Sequence, residues 1–387
     1  MTHKLPDRMA WLDRCRRIIL KVGSAVVTGP LGLDRVMIHR LSDQVAELRQ
    51  QQREVVIVSS GAVASGVRKV GLKERPRTIP HKQAAAAVGQ SVLMQAWEEA
   101  FDKYDLLVAQ VLLTGEDLAQ RHRYLNARNT LETLLEWSIT PVINENDTVA
   151  VEEIKFGDND QLSALIAGLI AADLVVNLTD TAGLYDCDPR AHADAQLIPV
   201  VQRLDARVLA YASTASGTVG TGGMLSKLHA AKKCTASGIP MIIAPGKERD
   251  VLLRLFAGED LGTFFVPRQR GYHGRKLWLA HLPKPAGDLV LDAGAVAALE
   301  RGGKSLLPIG IREVRGSFGV GAAVRCLAED GHAIGVGLSN YKASEIEQIK
   351  GHRSEEIEAI IGYKHSDEVV HRNNFVLASE HLALETE

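Results

Sequence analysis

The chain has few cysteines, no surplus of one charge sign and no long apolar run, and each shortage removes a class of function. Its four cysteines, Cys15, Cys187, Cys234 and Cys326, lie too far apart to form a CxxC pair, so they build neither a zinc ribbon nor a thiol-exchange motif. They read as ordinary buried or surface thiols. Lys and Arg number 45 against 47 Asp and Glu, a net charge of −2; so weak a field draws the protein neither to nucleic acid nor to an anionic membrane. Charges interrupt every apolar run of the opening MTHKLPDRMAWLDRCRR, and no stretch approaches the roughly 18 apolar residues that a membrane span needs. With no secretory signal, the expected location is the cytoplasm and the thiols are expected to stay reduced.

Two nucleotide motifs are also missing. GxxxxGK[ST] fails because Gly303-Lys304-Ser305 would need glycine at 298, where Ala298 stands, and no GxGxxG follows a strand. Ser60 is no nucleophile elbow, since Val58 occupies the position where that motif wants glycine.

What is there is a globular composition, 46% hydrophobic and 24% charged over 387 residues, which rules out a disordered chain and leaves room for two domains. Short β-branched runs at 18–22, 55–59, 106–112, 140–144, 174–178, 240–243 and 263–266 alternate with helical periods at 34–50, 82–101, 124–137, 161–171 and 224–237. This is the pattern of a mostly parallel sheet covered on both faces, a three-layer α/β domain. A basic, glycine-containing stretch after Pro267 reads as a linker. Beyond it, β-like runs at 288–291, 306–311, 322–327 and 332–338 and a helix at 293–301 fit a small, mainly β domain, with a mixed tail from His352.

Open parallel sheets bind ligands beyond the carboxyl ends of their strands, so the residues just after each apolar run carry the information. The first run ends in Lys21-Val22-Gly23-Ser24, a lysine at a strand end beside a glycine that permits close ligand approach. A lysine whose stem packs on the sheet would look the same. Ser59-Ser60-Gly61-Ala62 is a hydroxyl and glycine turn opening a helix, where free N–H groups favour an anion, although a plain N-cap also fits. Gly217-Thr-Val-Gly-Thr-Gly-Gly-Met224-Leu-Ser-Lys227 runs straight into a helix, so backbone amides and the Lys227 charge can gather around phosphate. Acids and amides cluster at Asn144-Glu145-Asn146-Asp147 and Gly157-Asp158-Asn159-Asp160, each explicable alone as turn or cap. Beside two lysines, they suit a site for a charged small molecule and a metal-bound nucleotide.

Taken in order, KVGS, SSGA, NEND, GDNDQLSA, LTDTAGLYDCDPR and TGGMLSK resemble the amino acid kinase family, and NEND with GDND resembles those members that act on glutamate. The similarity spans residues 17–267. Residues 276–350 resemble a PUA domain, through GGKSLLPIGI and IGVGLSNY. The resemblance implies an α/β, three-layer amino acid kinase fold with a mostly parallel open sheet, plus a small mainly β PUA-like domain. Residues 1–16 would be an N-terminal extension, 17–267 the catalytic domain, 268–275 the linker and 276–387 the PUA-like domain with its tail.

The resemblance further implies transfer of the ATP γ-phosphoryl group to the side-chain carboxylate of L-glutamate, giving L-glutamyl 5-phosphate for proline biosynthesis. Lys21, Lys227 and Asp160 would be catalytic, with Asp160 between the lysines. Ser60, Asp147 and Asn159 would hold glutamate, Asp147 taking its ammonium group. Lys21, Thr179, Asp180, Thr221, Gly222, Gly223, Met224 and Lys227 would line the nucleotide. No metal ligand is assigned, and Mg²⁺ would arrive with ATP. Proline is the expected feedback inhibitor, a homo-oligomer the expected assembly, and glutamyl phosphate reductase a candidate partner.

Two other readings compete. Related kinases take aspartate, N-acetylglutamate, carbamate or UMP; an N-acetylated substrate would leave an acid such as Asp147 unpaired, and aspartate falls short by one methylene. PUA-like modules also serve RNA-modifying enzymes. Here acids and bases nearly balance from Lys276 to Lys350, and the aromatics are the scattered Trp278, Phe318 and Tyr341, so RNA binding is not expected.

Overall fold

A computed structural model of the chain describes residues 8–29, 32–74, 76–150, 159–213, 223–267 and 285–378. Contacts divide it into two units, Met1–Gly271 and Tyr272–Glu387. Among the described residues, no helix is long and apolar enough to cross a membrane.

The strands of the first unit are β1 (Arg17–Val22), β2 (Thr28–Gly29), β3 (Gly32–Leu33), β4 (Glu54–Ser59), β5 (Val108–Leu113), β6 (Thr140–Glu145), β7 (Leu174–Thr179), β8 (Val200–Val201), β9 (Met241–Pro245) and β10 (Thr263–Phe265). β2 and β3 form a small ribbon, and the rest join one sheet in the order β5-β6-β4-β1-β7-β9-β10-β8. Its pairings are parallel except between β9 and β10. Parallel neighbours need long crossovers, which the helices Arg35–Gln50, Ala62–Val70, Ile79–Asp102, Arg121–Glu136, Asn159–Leu169 and Met224–Ala236 supply. All seven sequence-predicted strands form, with ends shifted by at most two residues. β8 was not expected, because two residues carry no readable period.

Strand side chains alternate between faces, and here both faces are dry. Ile18, Leu20 and Val22 join one core with Trp97, Phe101 and the helix Arg35–Gln50. Ile19, Val56, Val58 and Val175 join the other with the helices Asn159–Leu169 and Met224–Ala236. Part of the expected N-terminal extension belongs to the first core: the helix Arg8–Arg14 leads into it, with Leu12 and Cys15 buried. Helices Ala62–Val70 and Ile79–Asp102 cross so closely that a Cβ on Gly66 would lie 1.7 Å from the Ala85 carbonyl oxygen. All four cysteines are free, and burial pushes the Cys15 and Cys234 thiols up to about 12.

The second unit holds β11 (Gly287–Leu291), β12 (Ile311–Gly316), β13 (Ala323–Ala328), β14 (Ala333–Leu338) and β15 (Phe375–Leu377), in the order β12-β11-β13-β14-β15. β11 and β13 are parallel and the other pairs antiparallel. The helix Ala293–Gly302 starts where Asp292 accepts from the Ala295 N–H at 2.8 Å, a capping bond. The strand expected at 306–311 is displaced: Pro308–Gly310 is a 3₁₀ turn and β12 begins at Ile311. Pro308 has no N–H to give a ladder, and the run was too apolar to betray this. The tail is less irregular than its sequence, since β15 pairs with β14 and Ile357, Val369 and Val370 are buried in this unit's core.

Candidate active site

The strand period and register together assemble the first part of the site. Lys21 shares a face of β1 with Ile19 and stands opposite Asn177 of β7, which shares the corresponding face with Val175. Both point toward the helix Asn159–Leu169, whose first turn carries Asp160. Lys21 Nζ pairs with Asp160 Oδ1, Asn177 Nδ2 donates to the same oxygen at 2.8 Å, and Lys227 Nζ donates to Asp160 Oδ2 at 3.1 Å. Exposure is 0% for Asp160, 3% for Lys21 and 6% for Lys227, so these charges survive out of water only because each has a partner. Burial alone would push the Asp160 carboxyl up; the two ammonium groups and the hydrogen bonds from Lys21 and Asn177 outweigh it and hold the carboxyl below its ordinary range.

Two cations thus converge on one anion at the carboxyl edge of the sheet. The helix Met224–Ala236 begins there at Gly223, and among the described residues no side chain caps it. Its first amides therefore add to an anion-attracting field. Gln161 Nε2 donates to the Ser226 carbonyl at 3.1 Å, tying the helix Asn159–Leu169 to the first turn that carries Lys227.

A second group lies at the ends of β4 and β6. Asn159 Nδ2 donates to Ser60 Oγ and to Asn144 Oδ1, each at 2.9 Å. The Ser60 N–H donates to the Val22 carbonyl at 3.1 Å, which brings this turn beside the end of β1. Gly61 then adopts φ +115° at the start of the next helix, a left-handed conformation that costs a side-chain-bearing residue energy. Asp147, in the turn after β6, is partly buried, and burial raises its carboxyl above the ordinary range. Among the described residues no hydrogen bond or ion pair offsets that burial.

The third group follows β7. Thr179 is buried and its Oγ1 donates to Asp180 Oδ1 at 3.1 Å, while Asp180 itself is exposed. Gly23 and Gly246 close onto this strand end through their N–H groups, to the carbonyls of Leu178 and Thr179 at 3.0 and 2.7 Å. Gly223 is exposed and Met224 partly buried. Of the residues expected here, Thr221 and Gly222 lie outside the described residues, as do the Gly217 to Gly220 part of the loop and the Gly157-Asp158 half of GDND.

Lys21, Asp160 and Lys227 thus meet, and Ser60 and Asn159 meet beside them. Sequence reasoning missed Asn177 and Gln90 as members of this network. Asn177 had a readable signal, an amide at even spacing in an otherwise apolar strand. Gln90 had none, being one polar residue among many on a long helix; its Oε1 accepts from Asn144 Nδ2 at 2.9 Å.

Comparison with known proteins places the two units in families. The amino acid kinase family profile matches residues 16–245, and the PUA domain profile matches residues 287–361. The chain is 60% identical to a glutamate 5-kinase from Meiothermus ruber, over 94% of this chain and 96% of that protein. It is 54% identical to the glutamate 5-kinase of Thermus thermophilus, over 94% and 98% of the two chains. To the glutamate 5-kinase of Geobacter sulfurreducens it is 50% identical, over 96% of this chain and 100% of the other. With its lysine-bridged aspartate at the strand ends and a C-terminal PUA domain, the chain belongs to the amino acid kinase family, among its glutamate 5-kinases.

Proposed function

We propose that this chain transfers the γ-phosphoryl group of ATP to the side-chain carboxylate of L-glutamate, giving L-glutamyl 5-phosphate, the first step of proline biosynthesis. The observation that carries the reading is the pair of buried lysines held on one carboxylate at the carboxyl edge of the sheet. A glutamate side chain has a pKa of about 4.3, so the attacking oxygen is already ionised at neutral pH and needs no general base. The difficulty is electrostatic, since one anion must approach another. Lys21 and Lys227 neutralise charge on the transferring group from two elements, and the open amides at Gly223 and Met224 add donors to it.

Asp160 is not a base in this scheme. Its carboxylate engages both lysines and orients them, as outer residues orient metal ligands. Asp147 receives the ammonium group of glutamate, a counter-ion for its partly buried carboxyl. Ser60 and Asn159 hold the amino acid beside it, and Thr179 and Asp180 line the nucleotide. Mg²⁺ bound to ATP would supply further screening of the phosphate charge; Asp160, committed to two ammonium groups, is no free ligand for it.

The test is ADP release with glutamate, aspartate and N-acetylglutamate, with hydroxylamine to trap the acyl phosphate. Glutamate alone is expected to give both ADP and hydroxamate. Equal or better turnover of either other acid would overturn the assignment.

A further inference from the structure

Asn159, already placed at the amino acid, ends a continuous relay of three carboxamides with Gln90 and Asn144, which have been given no role. Amide oxygen and nitrogen are interchangeable in shape, so the direction of such a chain must be fixed by a group that can act in one way only. Here that group is the backbone N–H of Glu145, which donates to Asn144 Oδ1 at 2.9 Å. Asn144 Nδ2 therefore faces Gln90 and donates to its Oε1, while Asn144 Oδ1 also accepts from Asn159 Nδ2. With its nitrogen committed to Asn144 and Ser60, Asn159 is left with a buried Oδ1 that has no partner among the described residues. A buried acceptor without a donor is costly, and an ammonium group is the donor that suits it.

The helix Ile79–Asp102 grips this region at seven-residue intervals along one face. Gln83 Nε2 donates to the Ala150 carbonyl at 3.2 Å, Gln90 meets Asn144, and Trp97 Nε1 donates to Ser59 Oγ at 3.1 Å. Residues two helical turns apart share a face, so one rigid element holds both the segment that carries Asp147 and the turn that carries Ser60. Gln90 is the middle grip, 9% exposed, and Asn144 beside it is 3% exposed.

We infer that Gln90 is a positioning residue for the amino-acid substrate: by accepting from Asn144 Nδ2 it anchors the side chain whose direction the Glu145 N–H sets, and so holds in place the relay that presents Asn159 Oδ1 to the substrate's ammonium group. The inference rests on the reading of this site as a glutamate site. Gln90 touches no reacting atom, so its loss acts on substrate affinity rather than on the phosphoryl-transfer step.

The experiment is steady-state kinetics on the full chain carrying Gln90→Leu, Gln90→Met or Gln90→Glu. Leu and Met fill similar space, but Leu cannot accept and the Met sulfur accepts only weakly, so Asn144 Nδ2 loses its strong acceptor; glutamate KM should rise about tenfold, with kcat and ATP KM within about twofold of wild type. Gln90→Glu keeps an acceptor oxygen and should restore glutamate KM to within about threefold. The Met variant answers the question if the Leu variant does not fold. An unchanged glutamate KM in a folded Leu or Met variant overturns the relay, as does a parallel rise in ATP KM or a Glu variant as impaired as the apolar ones. A wild-type chain inactive on glutamate would instead overturn the functional reading itself, so the two failures are distinguishable.

Discussion

Lys21 and Lys227 are paired with the same buried carboxylate but reach it from a strand and a helix. On the proposed mechanism each neutralises charge that develops during transfer, so Lys21→Ala and Lys227→Ala should each lower kcat by about a hundredfold or more. Either variant keeping more than a tenth of wild-type turnover would remove it from the catalytic set. Asp160→Asn should lower stability by about 3–5 kcal/mol, since it removes the carboxylate shared by two buried ammonium groups, measurable by urea unfolding. The sign with pH follows from its lowered carboxyl. The stabilisation is complete above the unfolded value of about 3.9 and is lost as pH falls through the lower folded value. Asp147 has the opposite sign: burial raises its carboxyl, so ionisation destabilises the ligand-free protein until a cation binds. Glutamate kcat/KM should therefore fall on acidification through that raised value. Asp147→Asn should show a high glutamate KM, little change in ATP KM, and no such acid limb; if ATP affinity falls equally, Asp147 serves the nucleotide instead.

At the scale of elements, the helix pair Ala62–Val70 and Ile79–Asp102 depends on two glycines that no motif announces. A Cβ on Gly89 would lie 1.8 Å from the Ala62 carbonyl oxygen, and one on Gly66 would meet Ala85 as closely. Those neighbours are backbone and cannot swing aside. Gly66→Ala or Gly89→Ala should cost about 1–3 kcal/mol and lower the melting temperature by several degrees. A Cβ on Gly168, within the helix Asn159–Leu169, would meet nothing within 4 Å, so Gly168→Ala should be neutral or stabilise by up to about 1 kcal/mol. A melt of the three variants side by side checks both signs. Strands were legible because their apolar runs are continuous; β8, β15 and the turn at Pro308 were not, because pairing partners far along the chain decide them.

For the whole molecule, the two units hold separate cores: Leu289, Phe318, Tyr341 and their neighbours in the second, and the two faces of the large sheet in the first. We therefore expect a chain ending near Arg270 to fold and to phosphorylate glutamate. Any loss should lie in assembly or in the response to proline, because an appended domain without the lysine pair can act only by biasing states of the first. Truncation followed by kinetics with and without proline, and by light scattering, checks this. An inactive or insoluble truncated chain beside an active full-length one would show that the second unit completes the first.

The amino-acid sequence by itself determined the layered α/β architecture, the order of the motifs and the identity of Lys21, Asp160 and Lys227. Apolar periodicity and residue chemistry are local properties, and six short motifs in one order are specific together. Only the tertiary structure decided that Asn177 supports the Asp160 carboxylate between the lysines and that Gln90 reaches Asn144 from a separate helix. Those contacts join residues far apart in the chain, where distance and the direction of a hydrogen bond are set by how a sheet and its covering helices pack, and no spacing along the sequence encodes them.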